Sequence, residues 1–448
     1  MEKYDVIILG GGTAGYHAAL ALSKENKSVL VIEQDKIGGT CLHHGCIPTK
    51  SLLKSAKEFE RYYRTYESVF DEEKAHEIKG RTIERLYVGL KKQIEQCGIK
   101  VVKEYGRIIG KEKEVFEVEA GDKRYSAINI IVATGSKNRM LPIEGIQESL
   151  DKKLAMYSEQ FLDTNCDEED VIIIGGGVIG IEFATYLGET GRNVTVLEYE
   201  NEVMKDLIDE DIRTILVRSL QNRNINFITS AHVQEIDGSC IVYERNGVLE
   251  EMQAGRILLA GGREGSLAGI GLDRIGLDCS GGFLQTDDLG QTTCEGVYAC
   301  GDVTGKYMLA HVAAREAEAV VENICGGSAK VNYAAVPQVV FSNPETALAG
   351  LSEQACQAGG MGYYVRKCSM HYSGKYMIDE ERQQGLCKLI FNTKDVLIGA
   401  QLIGNGSSEL IFVLADMIDQ EVSVEKIRKK IYPHPSLTEI IKEAVNLG

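Results

Sequence analysis

One short pattern occurs twice in this chain, 165 residues apart, and it limits the available folds more than any other feature. In the first copy the apolar run Val6-Ile7-Ile8-Leu9 enters Gly10-Gly11-Gly12-Thr13-Ala14-Gly15, and a later run, Val29-Leu30-Val31-Ile32, ends at Glu33. In the second, Val171-Ile172-Ile173-Ile174 enters Gly175-Gly176-Gly177-Val178-Ile179-Gly180, and Val194-Thr195-Val196-Leu197 ends at Glu198. A lone G-x-G-x-x-G is weak evidence. Set between a buried strand and a helix, with an acid closing the next strand, it is the signature of a dinucleotide-binding unit. Gly10 and Gly175 permit the tight turn, Gly12 and Gly177 let a pyrophosphate approach the backbone, and Gly15 and Gly180 let the helix pack on the strand. The helix N-terminus offers unpaired N–H groups and positive dipole to the phosphates. Glu33 and Glu198 are placed to accept hydrogen bonds from ribose hydroxyls. Two glycine-rich turns of purely structural use are the bland alternative, and the repeated context argues against it.

Two such units imply two dinucleotides, one that carries electrons and one that supplies them. A carboxylate at position 198 repels a 2′-phosphate, and no Arg follows until Arg213, so the second unit is expected to take NAD rather than NADP.

Composition narrows the setting. The chain has 448 residues, 44% of them hydrophobic, enough for about three globular units. With 49 Lys and Arg against 66 Asp and Glu, the net charge of −17 opposes nucleic acid and acidic membrane surfaces. The charge-free stretch from Val6 to Ser23 is broken by four glycines and falls short of the roughly 20 apolar residues of a membrane span. The twelve cysteines are scattered from Cys41 to Cys387, unlike the dense cysteines of a short oxidised scaffold, and point to a reducing, cytoplasmic setting.

Two of these cysteines lie close together, in Gly39-Thr40-Cys41-Leu42-His43-His44-Gly45-Cys46-Ile47-Pro48-Thr49-Lys50. Five residues of regular helix rise about 7.5 Å, beyond the reach of a disulfide, so a bonded pair requires a bend. Gly45 permits one, and Pro48 suits the first turn of a helix beginning near Cys46. The positive end of that helix favours a Cys46 thiolate. A metal site built on Cys41, His43, His44 and Cys46 and an inert structural pair are the alternatives; a redox-active dithiol beside a dinucleotide is the preferred reading.

These segments together resemble the flavin-dependent pyridine-nucleotide disulfide oxidoreductases, most closely their dihydrolipoamide dehydrogenase branch. The resemblance runs over essentially the whole chain. It is carried by both glycine fingerprints, by Gly39 to Lys50, by Ala133-Thr134-Gly135, and by Gly301-Asp302-Val303 with Met308-Leu309-Ala310-His311. Pro344-Glu345 and His434-Pro435-Ser436-Leu437-Thr438-Glu439 complete it.

The resemblance implies an α/β chain with two Rossmann-like dinucleotide-binding domains, for FAD and NAD, and a C-terminal α+β dimerisation domain. The expected division is an FAD domain at 1–140, an NAD domain at 141–267, a central segment at 268–330 that completes the FAD site, and an interface domain at 331–448. It implies that Thr134 and Gly135 line the flavin site, that Asp302 holds the ribityl hydroxyls, and that the turn from Met308 to His311 lies against the flavin ring. Lys50 and Glu182 would pair beside the flavin. His434 would act as acid and base on the substrate thiol, oriented by Glu439, against the Cys41–Cys46 disulfide of the other subunit of a homodimer. From spacing alone that His–Glu pair is an even choice between a catalytic and a structural role, and Ser436 is expected to cap the following helix. Gly261-Gly262-Arg263-Glu264-Gly265 stands where the family closes its second domain with a Gly-Arg-Arg-Pro-like loop.

The function so implied is oxidation of protein-bound dihydrolipoamide with reduction of NAD, in partnership with a lipoyl-bearing protein of a 2-oxoacid dehydrogenase, acetoin dehydrogenase or glycine-cleavage system. No nucleic acid, membrane or metal is expected. A mercuric-ion or glutathione-type reductase, and a flavoprotein scaffold without activity, are the competing readings.

Overall fold

A computed structural model describes residues 1–62, 68–279, 281–380 and 383–447. They form two compact units: residues 1–51, 74–140 and 262–331, and residues 52–73, 141–261 and 332–448.

The first unit is organised by one sheet. β1 (Glu2–Leu9) lies between β2 (Val29–Ile32) and β6 (Lys123–Val132), both parallel to it, and β3 (Lys100–Val102) extends the parallel side beyond β2. On the far side of β6 the sheet divides. Its first half pairs antiparallel with β5 (Val115–Ala120), itself paired to β4 (Gly106–Glu112), and its last three residues pair parallel with β17 (Val297–Ala299). A separate ribbon joins β7 (Ser136–Asn138) to β16 (Arg263–Gly265).

The unbroken apolar run of β1 follows from its position. Val6 and Ile8 enter a core shared with Ala14, Ala18 and Leu22 of the helix Thr13–Lys24 and with Ala313, Ala317 and Val320 of the helix Ala310–Ile324. Ile7 and Leu9 enter another, with Phe116, Val118, Tyr125 and Ile130. A strand covered on both faces has no solvent side on which to place polar residues, so the alternation of a half-exposed strand is absent.

The second unit holds three sheets. A parallel one runs in the order β11 (Ile225–Ile228), β10 (Asn193–Leu197), β9 (Asp170–Ile174), β15 (Arg256–Leu259), β8 (Ala155–Tyr157). An antiparallel meander of β12 (His232–Asp237), β13 (Cys240–Arg245) and β14 (Val248–Gln253) shares its core through Ile236, Ile241 and Tyr243. The C-terminal portion is a five-stranded antiparallel sheet ordered β18 (Gln338–Val340), β19 (Thr346–Gly350), β22 (Leu397–Ile403), β21 (Leu386–Asn392), β20 (Tyr363–Ser369). It packs on the helices Ser407–Asp419 and Glu439–Leu447 through Leu410, Ile411, Leu414, Ile440, Ile441 and Ala444. The expected class is therefore present: two Rossmann-like parallel arrangements and a C-terminal α+β portion. Among the described residues no helix is long and apolar enough to cross a membrane.

Candidate active site

The two glycine turns are built alike at their outer glycines. Gly10 and Gly175 have φ of 100° and 114°, in the left-handed region that disfavours side chains. A Cβ on Gly15 would stand 1.9 Å from Gly10 O, and one on Gly180 the same distance from Gly175 O. These glycines serve the packing of helix on strand. The middle ones differ: a Cβ on Gly12 would meet only Gly39 Cα, at 3.9 Å, and one on Gly177 nothing within 4 Å. Open space there is what a pyrophosphate requires. Gly12 and Gly177 are also the N-caps of Thr13–Lys24 and Val178–Glu189, and neither helix has a side-chain cap, which leaves its first N–H groups for a ligand.

The acids repeat as well. Glu33 Oε2 accepts the Gly11 N–H at 2.6 Å and its Oε1 the Asp35 N–H at 2.8 Å; Glu198 Oε2 accepts the Gly176 N–H at 2.5 Å and its Oε1 the Glu200 N–H at 2.7 Å. Each carboxylate is thereby aimed along its own glycine turn, and with about four lone-pair sites it retains capacity for ribose hydroxyls.

Further features of the first unit fit a flavin dinucleotide. Thr134 Oγ1 is buried and has no hydrogen-bond partner among the described residues, an arrangement costly enough that a bound group is expected to satisfy it. Gly135 follows with φ of 70°. Asp302 opens a single 3-10 turn after β17, and its Oδ2 accepts the Ser136 hydroxyl at 2.6 Å. Met308 is 43% exposed, Leu309 caps the helix Ala310–Ile324 without a side-chain bond, and His311 is exposed on its first turn.

Two residues here escaped the sequence. Arg263 Nε donates to Ser136 Oγ at 2.8 Å, its Nη2 to Ser136 O at 2.8 Å and its Nη1 to Asn138 Oδ1 at 3.1 Å. A chain of polar contacts thus runs from Arg263 through Ser136 to Asp302. The loop around Arg263 drew notice only for departing from a familiar pattern; its side chain belongs to the ribbon of β7 and β16, a pairing that no local signal announces.

The cysteine segment bends between two helices, and Cys41 and Cys46 are both free thiols. A short helix, Gly39–His43, ends at His44, and a second, Cys46–Tyr62, begins directly after Gly45. The thiols of Cys41 and Cys46 are hydrogen-bonded to each other. That bond is the first cause of a strong upward displacement of the Cys41 thiol; burial and the charge of Cys46 add to it, and Lys50 opposes it. Cys46 stands on the first turn of its helix. His43 Nε2 lies 2.9 Å from Ile37 O, and its ring meets Tyr87 edge-on at 5.3 Å. Among the described residues no group of three or more His, Cys, Asp and Glu side chains is placed to hold a metal ion.

In the second unit Glu182 is 3% exposed on the helix Val178–Glu189, and its Oε1 accepts the Phe341 N–H at 3.1 Å. Lys50 lies in the first unit, near Cys41. His434 Nδ1 is 2.9 Å from Glu439 Oε1, with the His434 side chain 80% exposed. The helix after them is not capped by the Ser436 hydroxyl as expected. Glu439 Oε2 reaches back to the Ser436 N–H at 2.9 Å, and the hydroxyl pairs with Thr438 Oγ1 at 2.7 Å. The carboxylate that orients the histidine also closes the start of its own helix, which favours this geometry over a serine cap.

Known proteins resemble the chain along its whole length. The family profile described as pyridine nucleotide-disulphide oxidoreductase matches residues 4–317, and that of the same family's dimerisation domain matches residues 336–445. The chain is 33% identical to a dihydrolipoyl dehydrogenase of Bacillus subtilis over 99% of this chain and 97% of that one. It is 32% identical to one of Rhizobium etli over 99% and 98%. Among solved structures it is similar to LpdA of Mycobacterium tuberculosis, with a TM-score of 0.88 at 25% identity over 100% of this chain and 99% of that one. A copper(II) complex of the HOCl-induced flavoprotein disulfide reductase RclA of Escherichia coli also gives 0.88 at 25%, with both chains fully covered.

Proposed function

Because the chain belongs to the pyridine nucleotide-disulphide oxidoreductase family, with FAD and NAD as its cofactors and a dimerisation domain, we propose that it is a dihydrolipoyl dehydrogenase. The observation that carries this reading is the full-length likeness to dihydrolipoyl dehydrogenases at about one-third identity. The hydrogen-bonded pair Cys41 and Cys46, in the same unit as an uncapped glycine turn and an unsatisfied Thr134, supports it.

In this reading residues 1–140 and 268–330 bind FAD, 141–267 bind NAD and 331–448 form the interface. Gly10, Gly12, Gly15, Glu33, Thr134, Gly135 and Asp302 hold FAD, with Met308 to His311 beside it. Gly175, Gly177, Gly180 and Glu198 hold NAD. Lys50 and Glu182 are each assigned a fixed charge that serves the electron transfer.

The chemistry begins with the enzyme's Cys41–Cys46 disulfide. His434 of one protomer, oriented by Glu439, takes the proton of a dihydrolipoyl thiol. The resulting thiolate attacks Cys41 of the other protomer, so the Cys41–Cys46 bond breaks, a mixed disulfide forms and Cys46 leaves as a thiolate. The second lipoyl thiol then attacks the lipoyl sulfur and displaces Cys41, which regains a proton. The substrate leaves as a cyclic disulfide and its electron pair resides on the dithiol. FAD, when bound, supplies the relay that passes this pair to NAD as a hydride. The place of Cys46 on the first turn of its helix suits its part as the sulfur that leaves as a thiolate. The protein works in a reducing cytoplasm, with the lipoyl group presented by a partner protein.

The test is turnover by the FAD-loaded homodimer. One NADH formed per dihydrolipoamide oxidised, with NADP as a poor substitute, is the expected result. A clear preference for glutathione disulfide or mercuric ion as substrate, with NADPH as donor, would overturn the reading.

A further inference from the structure

Asp302, read as the ligand of the flavin's ribityl hydroxyls, is tied at one carboxylate oxygen only. Its Oδ2 accepts the Ser136 hydroxyl at 2.6 Å, and the carboxylate makes no other hydrogen bond among the described residues. The direction of that bond is set from behind. Arg263 Nε donates to Ser136 Oγ at 2.8 Å, and a guanidinium has donors only, so the Ser136 proton is left to point at the acceptor on its other side, Asp302. Two residues before Ser136 stands Thr134, whose buried Oγ1 has no partner among the described residues. An oriented carboxylate with an open oxygen and an orphaned hydroxyl in the same stretch point to a bound group.

Strand register brings Arg263 to this place. On the ribbon of β7 and β16, Arg263 lies opposite Asn138 and Glu264 opposite Lys137. Ser136 and Asn138 are two residues apart and share a face, so one long side chain reaches both: Nη1 donates to Asn138 Oδ1 at 3.1 Å and Nη2 to Ser136 O at 2.8 Å. Lys137 and Glu264 pair with each other at 3.1 Å. A slip of one residue would carry Arg263 to the other face and away from Ser136.

The main chain that carries Asp302 is held by other groups. The Gly301 N–H donates to Oε2 of the buried Glu316 at 2.7 Å, and Thr304 Oγ1 donates to Gly301 O at 3.0 Å. Ser136 and Arg263 therefore act on the Asp302 side chain and leave its turn to Glu316 and Thr304.

We propose that Ser136, directed by Arg263, is a positioning residue for FAD: it fixes the Asp302 carboxylate before the cofactor arrives and keeps one oxygen open for a ribityl hydroxyl. This rests on the reading of Asp302 as a flavin ligand. A side chain already held in its bound conformation loses less freedom when the ligand binds, and the saving appears as affinity.

The experiment follows FAD leaving the holoenzyme, read as recovery of flavin fluorescence after dilution. The proteins are wild type, Ser136→Ala, Arg263→Met and Asp302→Ala, with Ser136→Ala and Arg263→Met each also combined with Asp302→Ala. Ser136→Ala removes one oxygen and should speed release at least about tenfold, the loss of a hydrogen bond to a charged group. Arg263→Met, which keeps the hydroxyl without its direction, should speed release about threefold or more. Where Arg263→Met does not fold, Arg263→Lys, with a single ammonium in place of the fork, provides the same comparison. On the Asp302→Ala background neither change should alter release by more than about twofold, since no carboxylate remains to be positioned. A role confined to the ribbon would act equally on both backgrounds, and that result overturns the proposal, as does release from Ser136→Ala at the wild-type rate. An Asp302→Ala holoenzyme that keeps FAD as firmly as wild type overturns the reading of Asp302 as a flavin ligand, and the proposal with it.

Discussion

His434 Nδ1 and Glu439 Oε1 are 2.9 Å apart, while the second oxygen of the same carboxylate accepts the Ser436 N–H at 2.9 Å. The carboxylate is fixed from two sides, and the bond from Ser436, followed by that from His434, holds its acid group below the usual range. Glu439 is thus ionised throughout the neutral region. Glu439→Gln retains an acceptor for Ser436 but loses the charge facing the imidazole. Dihydrolipoamide oxidation is expected to fall by about a hundredfold at every pH between about 6 and 9. NADH oxidation by a one-electron dye, which needs no proton from a thiol, should stay within about twofold of wild type. Steady-state kinetics with both acceptors checks this.

The thiol pair yields a titration. Because the hydrogen bond with Cys46, burial and the Cys46 charge together raise the Cys41 thiol, removing Cys46 removes the first and third causes. In Cys46→Ala, ultraviolet thiolate absorbance should show Cys41 ionising at a lower pH than in the reduced wild type. An unchanged or higher midpoint would contradict Cys46 as a cause of the upward displacement of Cys41.

The two kinds of glycine separate folding from binding. Gly180→Ala forces a Cβ to 1.9 Å from Gly175 O and should cost roughly 1–3 kcal/mol or more, seen as a lower melting temperature. Gly177→Ala meets nothing within 4 Å and should melt within about 0.5 kcal/mol of wild type. Its affinity for NADH should nonetheless fall at least about tenfold, since the new methyl group occupies the pyrophosphate's approach. Gly12→Ala is expected to behave likewise toward FAD, read as flavin content after purification.

Glu189, the last residue of the helix Val178–Glu189, is 1% exposed, and burial raises its carboxyl to about 7. Asn343 Nδ2 donates to it at 2.5 Å. The folded state therefore binds a proton that the unfolded chain releases near 4.5, and stability falls as pH rises from about 4.5 to about 7. Glu189→Gln preserves the acceptor without the charge. It should raise the melting temperature at pH 8, by a free energy of up to about 3 kcal/mol, and the gain should vanish toward pH 4.5. Melting curves across that range provide the check.

Legibility in the sequence followed the span of chain over which each interaction is decided. The glycine turns with Glu33 and Glu198, the bend between Cys41 and Cys46, and the nearness of His434 to Glu439 are settled within one strand-turn-helix or a few residues. Backbone torsions and hydrogen bonds there depend on neighbours in the chain; residue type and spacing suffice to place the glycine turns and their acids, while the His434–Glu439 pair needed the family resemblance beside its spacing. What only the tertiary structure decided are contacts closed over long loops. Arg263 reaches Ser136, and through it Asp302, because β16 pairs with β7. His232 lies under Tyr199 because β12 follows the edge strand of a five-stranded sheet. Glu189 is buried against Asn343 from a different part of the second unit. Such meetings depend on which strands pair and which faces pack, and the free energy that selects them is shared by whole cores, so no short stretch of sequence carries their signature.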